Sequence, residues 1–156
     1  MRYCTANELL VDTGVFVAIQ NERDEHHDAA TNALKTALTG EFGALYTNDY
    51  VYDEAVTLTR MRTGNHHEAR AIGDRIAGRD PFPDRIEMLF VSDDRFEQTV
   101  RVFERYDDHD LSFTDASLVA FVENSDIDAV LSFDDDFDGL VERIDPTTIS
   151  EDYSSN

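Results

Sequence analysis

"LSFTDASLVAFVENSDIDAVLSFD", residues 111–134, decides the fold. Ser112 and Asp115 match the S-x-x-D signature of a helix start. Ala116, Val119, Ala120 and Val122 then give the segment to Asn124 a broad apolar side, so 111–124 reads as a helix. "DAVLSF" (128–133) follows as a short apolar run, the pattern of a buried strand. It ends directly in an acid, Asp134. A helix feeding a buried strand is half of a βαβ unit, and the rest of the chain repeats that theme.

Upstream, "RIEMLFVS" (85–92) reads as a strand and "DDRFEQTVRVFERY" (93–106) as a helix with Phe96, Val100, Val102 and Phe103 inward. At the start, "ELLVD" (8–12) is a strand ending in Asp12. "TGVFVAIQN" continues as a helix with Val15, Phe16, Ala18 and Ile19 on one face. "HHDAATNALKTALTG" (26–40) is a helix stopped by Gly40, and "ALYT" (44–47) a short strand. Thr47, Asn48 or Asp49 caps a helix to about Met61 that Thr63-Gly64 ends. Asn65 and Glu68 form a capping box for a helix to about Ala77. Pro81 and Pro83 mark a loop, and "LVERI" (140–144) is a weaker strand. Helices alternating with short apolar strands imply an α/β domain with a largely parallel sheet.

The chain has 156 residues, the size of one domain, read as 1–156 with a core of about 8–145 and a loose polar tail at 146–156. No stretch approaches the ~20 apolar residues that span a bilayer, and the N-terminal sequence lacks the apolar segment of a signal peptide. A soluble, cytoplasmic protein is the expectation. Cys4, the single cysteine, allows no internal disulfide, fits a reducing compartment and reads as a spectator. The formal net charge is −21, yet 41% of residues are hydrophobic, which excludes an acidic disordered chain. Lys35 is the one lysine. That bias, with so many acids, points to a high-salt cytoplasm, where screening at molar salt relieves self-repulsion. Circular dichroism checks this: folded signal should be retained in molar KCl and weakened in dilute buffer.

With 34 acids, a working carboxylate must be told from a solvating one. Asp12 and Asp134 both end apolar strands, and ligands of open parallel sheets bind beyond the carboxyl ends of the strands. Glu54 has Tyr50, Val51 and Leu58 as its i−4, i−3 and i+4 neighbours, which puts it on the apolar side of its helix. Asp115 opens a helix whose Leu118 and Val119 look inward. Each acid has a plainer explanation: a cap for Asp115, turn residues for Asp12 and Asp134, an ion pair with Arg60 or Arg62 for Glu54. Four separate elements aiming acids at one place are harder to explain that way. Two carboxylates ~4 Å apart repel by ~4 kcal/mol at an effective dielectric of 20. Four coexist with raised pKa values or with a cation. An all-oxygen set suits Mg²⁺ or Mn²⁺, one or two of which can activate water and stabilise the leaving oxygen of a phosphodiester. The pairs His26–His27 and His66–His67 lack the i,i+4 spacing of helical zinc motifs and read as surface residues.

"LLVDTGVFVAI" (9–19), "TNDYVYDEAVTLTRMR" (47–62) and "LSFTDASLVAFVENSDIDAVLSFDDDFD" (111–138) together resemble the motifs of PIN-domain ribonucleases, particularly VapC-type toxins of prokaryotic toxin–antitoxin pairs. The resemblance implies a mainly parallel five-stranded sheet flanked by helices. It also implies Mg²⁺- or Mn²⁺-dependent endoribonuclease activity on RNA, homodimers, and inhibition by a small antitoxin. Asp12, Glu54, Asp115 and Asp134 are the implied catalytic and metal-binding acids. Thr13 and Ser132 are supporting hydroxyls, and Asp136 lies at the rim or contacts metal through water. Gly14 stands where the family often has Asn or Ser. In 134–138, Asp135 and Asp138 read as solvating acids and Phe137 as an anchor. The segment 60–79 carries five arginines, and Arg60 and Arg62 are candidates for RNA or partner contact.

Rival readings remain. "VDTG" also resembles the aspartic-protease triplet, but that fold is almost all β. A haloacid-dehalogenase phosphatase wants an acid where Gly14 stands and a downstream lysine. A housekeeping ribonuclease or a catalytically silent PIN-like binding module would keep the fold.

Overall fold

The computed structural model describes residues 8–41 and 43–149. Cys4 and most of the C-terminal tail lie outside them. Five strands, β1 (Leu9–Val11), β2 (Leu45–Asn48), β3 (Ile86–Leu89), β4 (Ala129–Leu131) and β5 (Arg143–Ile144), form one sheet in the order β3-β2-β1-β4-β5. Every pairing is parallel, so the expected largely parallel sheet is wholly parallel. β1 and β4 are buried at every residue, which is why they read as unbroken apolar runs rather than alternating ones.

The crossovers are helical: α1 (Thr13–Gln20) and α2 (His27–Thr36) lead to β2, α3 (Asp49–Thr63) and α4 (His66–Ala77) to β3, and α5 (Asp93–Arg105) and α6 (Phe113–Asn124) to β4. The chain leaves β1 for β2 and β3 on one side, then returns to place β4 on the other side of β1. This reversal makes the crevice between the ends of β1 and β4 the place where a parallel sheet accepts a ligand. Leu9, Leu10, Val11, Val130 and Leu131 from the two strands pack with Phe16, Leu118 and Phe137 in the core.

Local chemistry sets the element ends. Asn48 caps α3, accepting from the Val51 amide at 2.9 Å, while its Nδ2 donates to Ser117 Oγ at 3.0 Å and fastens α3 to α6. Gly64, at φ 64°, ends α3 in a left-handed turn that few other residues adopt. Gly73 lets α4 close on α3, since a β-carbon there would lie 2.7 Å from the Tyr52 hydroxyl.

Several expectations are corrected. Phe96 and Phe103 are not inward: they are 43% and 46% exposed, because α5 seats Thr99 and Val102 on the core instead. Both rings pack against Phe113, as does Tyr50, with centroids 5.8 to 6.0 Å from it. The helix from 26 does not run regularly to Gly40, but passes into a π-helical turn at Ala37–Glu41. At α4 the capping box is half formed. Asn65 Oδ1 accepts from the His67 and Glu68 amides, while Glu68 accepts from Gln20 Nε2 instead of reaching back. The tail is not loose throughout: Ile149 joins the core. No described helix is long and apolar enough to cross a membrane.

Candidate active site

The crevice between β1 and β4 opens into a cleft of about 450 Å³, lined by Asp12, Glu54, Asp115 and Asp134. All four predicted acids reach it, from four different elements. Asp12 leaves β1 as the N-cap of α1, buried at 6% exposure. Its Oδ1 accepts from the Thr13 amide at 2.7 Å and its Oδ2 from Ser132 Oγ at 2.6 Å. Ser132 Oγ in turn accepts from the Asp134 amide at 2.9 Å. One serine hydroxyl thus fixes the side chain of one acid and the backbone of another across neighbouring strands.

Asp115 fulfils both readings given to it. It forms a complete capping box with Ser112, each side chain accepting from the other's amide at 3.0 Å. It also lines the cleft at 9% exposure, the first buried residue of α6. The box uses Oδ2, leaving Oδ1 as the oxygen outside the cap. Glu54 comes from the second turn of α3, half-buried, with Leu58 and Arg62 following it along the cleft. No ion pair joins Glu54 to Arg60 or Arg62 among the described residues.

The electrostatics follow from this crowding. Burial, then the charge of Asp115, push the Asp12 carboxyl up to about 7. The hydrogen bonds from Ser132 and Thr13 oppose the rise, and Glu54 adds to it. Burial likewise pushes Asp115 up to about 6, against the stabilising bonds from Ser112, with Asp134 and Glu54 contributing. Thr13 Oγ1 is buried beside them with no hydrogen-bond partner, a state that costs free energy unless something in the cleft accepts or donates. An all-oxygen donor set, two carboxyls whose ionised forms are disfavoured by burial and neighbouring acids, and an unpartnered hydroxyl fit a divalent cation.

No three of the four acids bring oxygens within 4.8 Å of one another. The described carboxylates that do so are Asp134, Asp135 and Asp136, on a single surface turn. The wider spacing of the four suits Mg²⁺ or Mn²⁺, which keep waters and use few direct carboxylates. Asp136 does not line the cleft. Its amide donates to Asp134 Oδ1 at 2.9 Å, and the neighbouring Asp134 charge raises its pKa. Asp135 is exposed and Phe137 fully buried, as expected, but Asp138 is not merely a solvating acid: both of its oxygens accept from Arg143, at 2.8 and 3.1 Å.

Of the two arginines, Arg62 lines the cleft and Arg60 does not, since successive turns of α3 point Glu54, Leu58 and Arg62 the same way. Two of the arginines further along are engaged elsewhere: Arg70 pairs with Asp74 at 3.8 Å, and Arg75 bonds Gln20 and lies over Phe82. The surface reading of His26 is corrected. Its ring lines the cleft and stacks on Phe133, centroids 4.3 Å apart. Asp24 also reaches the cleft. Phe133 could have been found from its place between Ser132 and Asp134. His26 and Asp24 had no local signal, because the 21–26 loop returns to the cleft only in three dimensions. Gly14 is exposed at the cleft wall, with nothing within 4 Å of an added β-carbon.

The PIN domain profile matches residues 9–142. The 23S rRNA-specific endonuclease VapC20 of Mycobacterium tuberculosis is 27% identical over 136 residues, 86% of this chain and 96% of that protein. The crystal structure of VapC20, a sarcin-ricin loop cleaving toxin, superposes with a TM-score of 0.70 at 26% identity, covering 83% of this chain and 92% of that one. A VapC ribonuclease of Archaeoglobus fulgidus is 30% identical over 53 residues, 34% of this chain and 34% of that protein. VapBC2 of Rickettsia felis, bound to a promoter DNA fragment, shares the fold with a TM-score of 0.63 at 12% identity, covering 88% and 97%. None of these relatives bears on the high-salt expectation, which rests on composition. With 9–142 matched and all four motif acids in one cleft, the chain belongs to the PIN domain family.

Proposed function

We infer that this protein is a divalent-metal-dependent endoribonuclease, the toxin of a pair with a small antitoxin. The observation that carries the reading is the convergence of Asp12, Glu54, Asp115 and Asp134 on one cleft at the switch point of a parallel sheet. Bound Mg²⁺ or Mn²⁺ supplies an activated water and a counter-charge for the departing oxygen of the phosphodiester. Asp12 and Asp115 would hold the ion, with Glu54 and Asp134 completing the site directly or through water.

The rest is positioning by the chain itself. Ser132 holds the Asp12 carboxylate in one rotamer through its 2.6 Å bond, so the acid need not reorganise when an ion arrives. The capping box does the same for Asp115. Thr13 offers its unpartnered hydroxyl to a water or phosphate oxygen in the cleft. Among the described residues Arg62 is the one arginine lining the cleft, and meets the phosphate backbone.

The antitoxin reading is supported by the kinship with VapC-type proteins. A homodimer is supported by the aromatic cluster of Tyr50, Phe96, Phe103 and Phe113, in which the exposed rings of Phe96 and Phe103 favour burial against a second copy. Expression of the chain should arrest bacterial growth, and co-expression of a short neighbouring open reading frame should relieve it. RNA cleavage without arrest would assign a housekeeping role.

The surface turn gives a direct test of which acids work. Asp134→Asn should lower RNA cleavage by about 10- to 100-fold, the range for loss of one group supporting a metal site, while Asp135→Asn stays within about twofold of wild type. Equal losses in the two variants would remove the assignment of Asp134.

A further inference from the structure

We propose that the stacked rings of His26 and Phe133 are the nucleobase platform of the cleft, receiving a base of single-stranded RNA beside the scissile phosphate. The proposal rests on the ribonuclease reading, and adds how such a site gains affinity for its substrate. Among the described residues the cleft lining holds five acids, Asp12, Asp24, Glu54, Asp115 and Asp134, against Arg62 and His26, in a chain of formal charge −21. Phosphate attraction cannot supply the binding there. Stacking can, because every base offers an uncharged ring face.

Among the described residues His26 and Phe133 are the two ring-bearing ones that line this cleft, and they lie nearly parallel, with 4.3 Å between centroids and 18° between planes. Both are anchored. Phe133 sits between Ser132, bonded to Asp12, and Asp134, whose amide bonds Ser132, so its ring is tied to the frame that holds the acids. His26 is the residue before α2, with its amide donating to Asp24 Oδ1 at 2.8 Å. The adjacent His27 Nδ1 lies 2.9 Å from the Ala18 carbonyl oxygen, which ties the loop to α1. The His26 side chain is 45% exposed, so ring surface remains for a third layer. A base placed on it continues the stack and brings its own phosphate toward the acids. Because the contact is the same in ground and transition states, it should act on KM and leave kcat unchanged.

The test compares His26→Leu, which fills the volume without a ring, with His26→Phe, which keeps one. Both should retain the wild-type circular dichroism spectrum. Binding is read in EDTA with a fluorescent single-stranded oligoribonucleotide and with the same oligomer carrying abasic sites. His26→Leu should weaken binding of the intact oligomer about tenfold, while His26→Phe stays within about threefold of wild type. The abasic oligomer should bind all three proteins equally. In cleavage with Mn²⁺, His26→Leu should raise KM with kcat preserved. Equal binding of the intact oligomer by wild type and His26→Leu, loss of binding in His26→Phe equal to that in His26→Leu, or a fall in kcat instead of a rise in KM would overturn the platform. Absence of wild-type cleavage with Mn²⁺ alongside ring-dependent binding would instead defeat the ribonuclease reading and leave the stacking contact standing.

Discussion

Asp12→Asn should abolish RNA cleavage and at the same time make the metal-free protein more stable above pH 7. The activity loss is expected to be on the order of 10³-fold, since the substitution removes a ligand charge from a centre that contributes several kcal/mol to the transition state. The stability gain follows from the Asp12 carboxyl being pushed up from 3.8 to about 7 by burial and then by the Asp115 charge. A group whose folded pKa is raised binds its proton more tightly in the folded state, so its contribution is fully present below pH 3.8 and is lost as pH rises through about 7. Above that, the ionised carboxylate, buried among other acids, destabilises the fold by on the order of 4 kcal/mol. Asn keeps the shape and an acceptor for the Thr13 amide without the charge. Thermal unfolding in EDTA should show the variant well above wild type at pH 8 and level with it near pH 4. A variant less stable than wild type at pH 8 would contradict the account of the cleft.

Mn²⁺ should stabilise the wild-type protein at pH 8 by about 5–10 °C when present at a hundred times its Kd. The cation relieves the like-charge crowding that raises Asp12 and Asp115. At pH 5 both carboxyls hold protons, which must leave before the ion can bind, so the shift should shrink toward zero. Asp115→Asn should remove it at either pH, with no dependence on RNA or cleavage. A shift as large at pH 5 as at pH 8, or one retained in Asp115→Asn, would place the ion elsewhere, for example on the surface turn of Asp134, Asp135 and Asp136.

The parallel sheet was legible because β1 and β4 carry no polar residue, and a strand buried on both faces has no alternation to obscure it. The acids were legible for a related reason. Asp12 directly follows one such strand, Asp134 follows the end of the other, and Glu54 and Asp115 each have apolar helical neighbours, Val51 and Leu58 for the first and Leu118 and Val119 for the second. Where the reading failed, the deciding contacts were distant in sequence. Phe96 and Phe103 share an i,i+7 stripe that fits a core face, yet Thr99 and Val102 turn α5 so that both rings lie outside against Phe113. Arg60 and Arg62 could be separated only by the rotation of α3, which its tie to α6 through Asn48 and Ser117 sets. His26 belongs to the cleft through a ring stack spanning more than a hundred positions, which no local pattern announces.

The central claim is that the four-acid cleft performs metal-dependent RNA cleavage. Its most direct test is digestion of a labelled single-stranded RNA by wild type and by Asp115→Asn, each with Mn²⁺ and with excess EDTA. The account predicts cleavage by wild type with Mn²⁺ and by no other combination. Equal cleavage by the two proteins, or wild-type cleavage undiminished by EDTA, would contradict it.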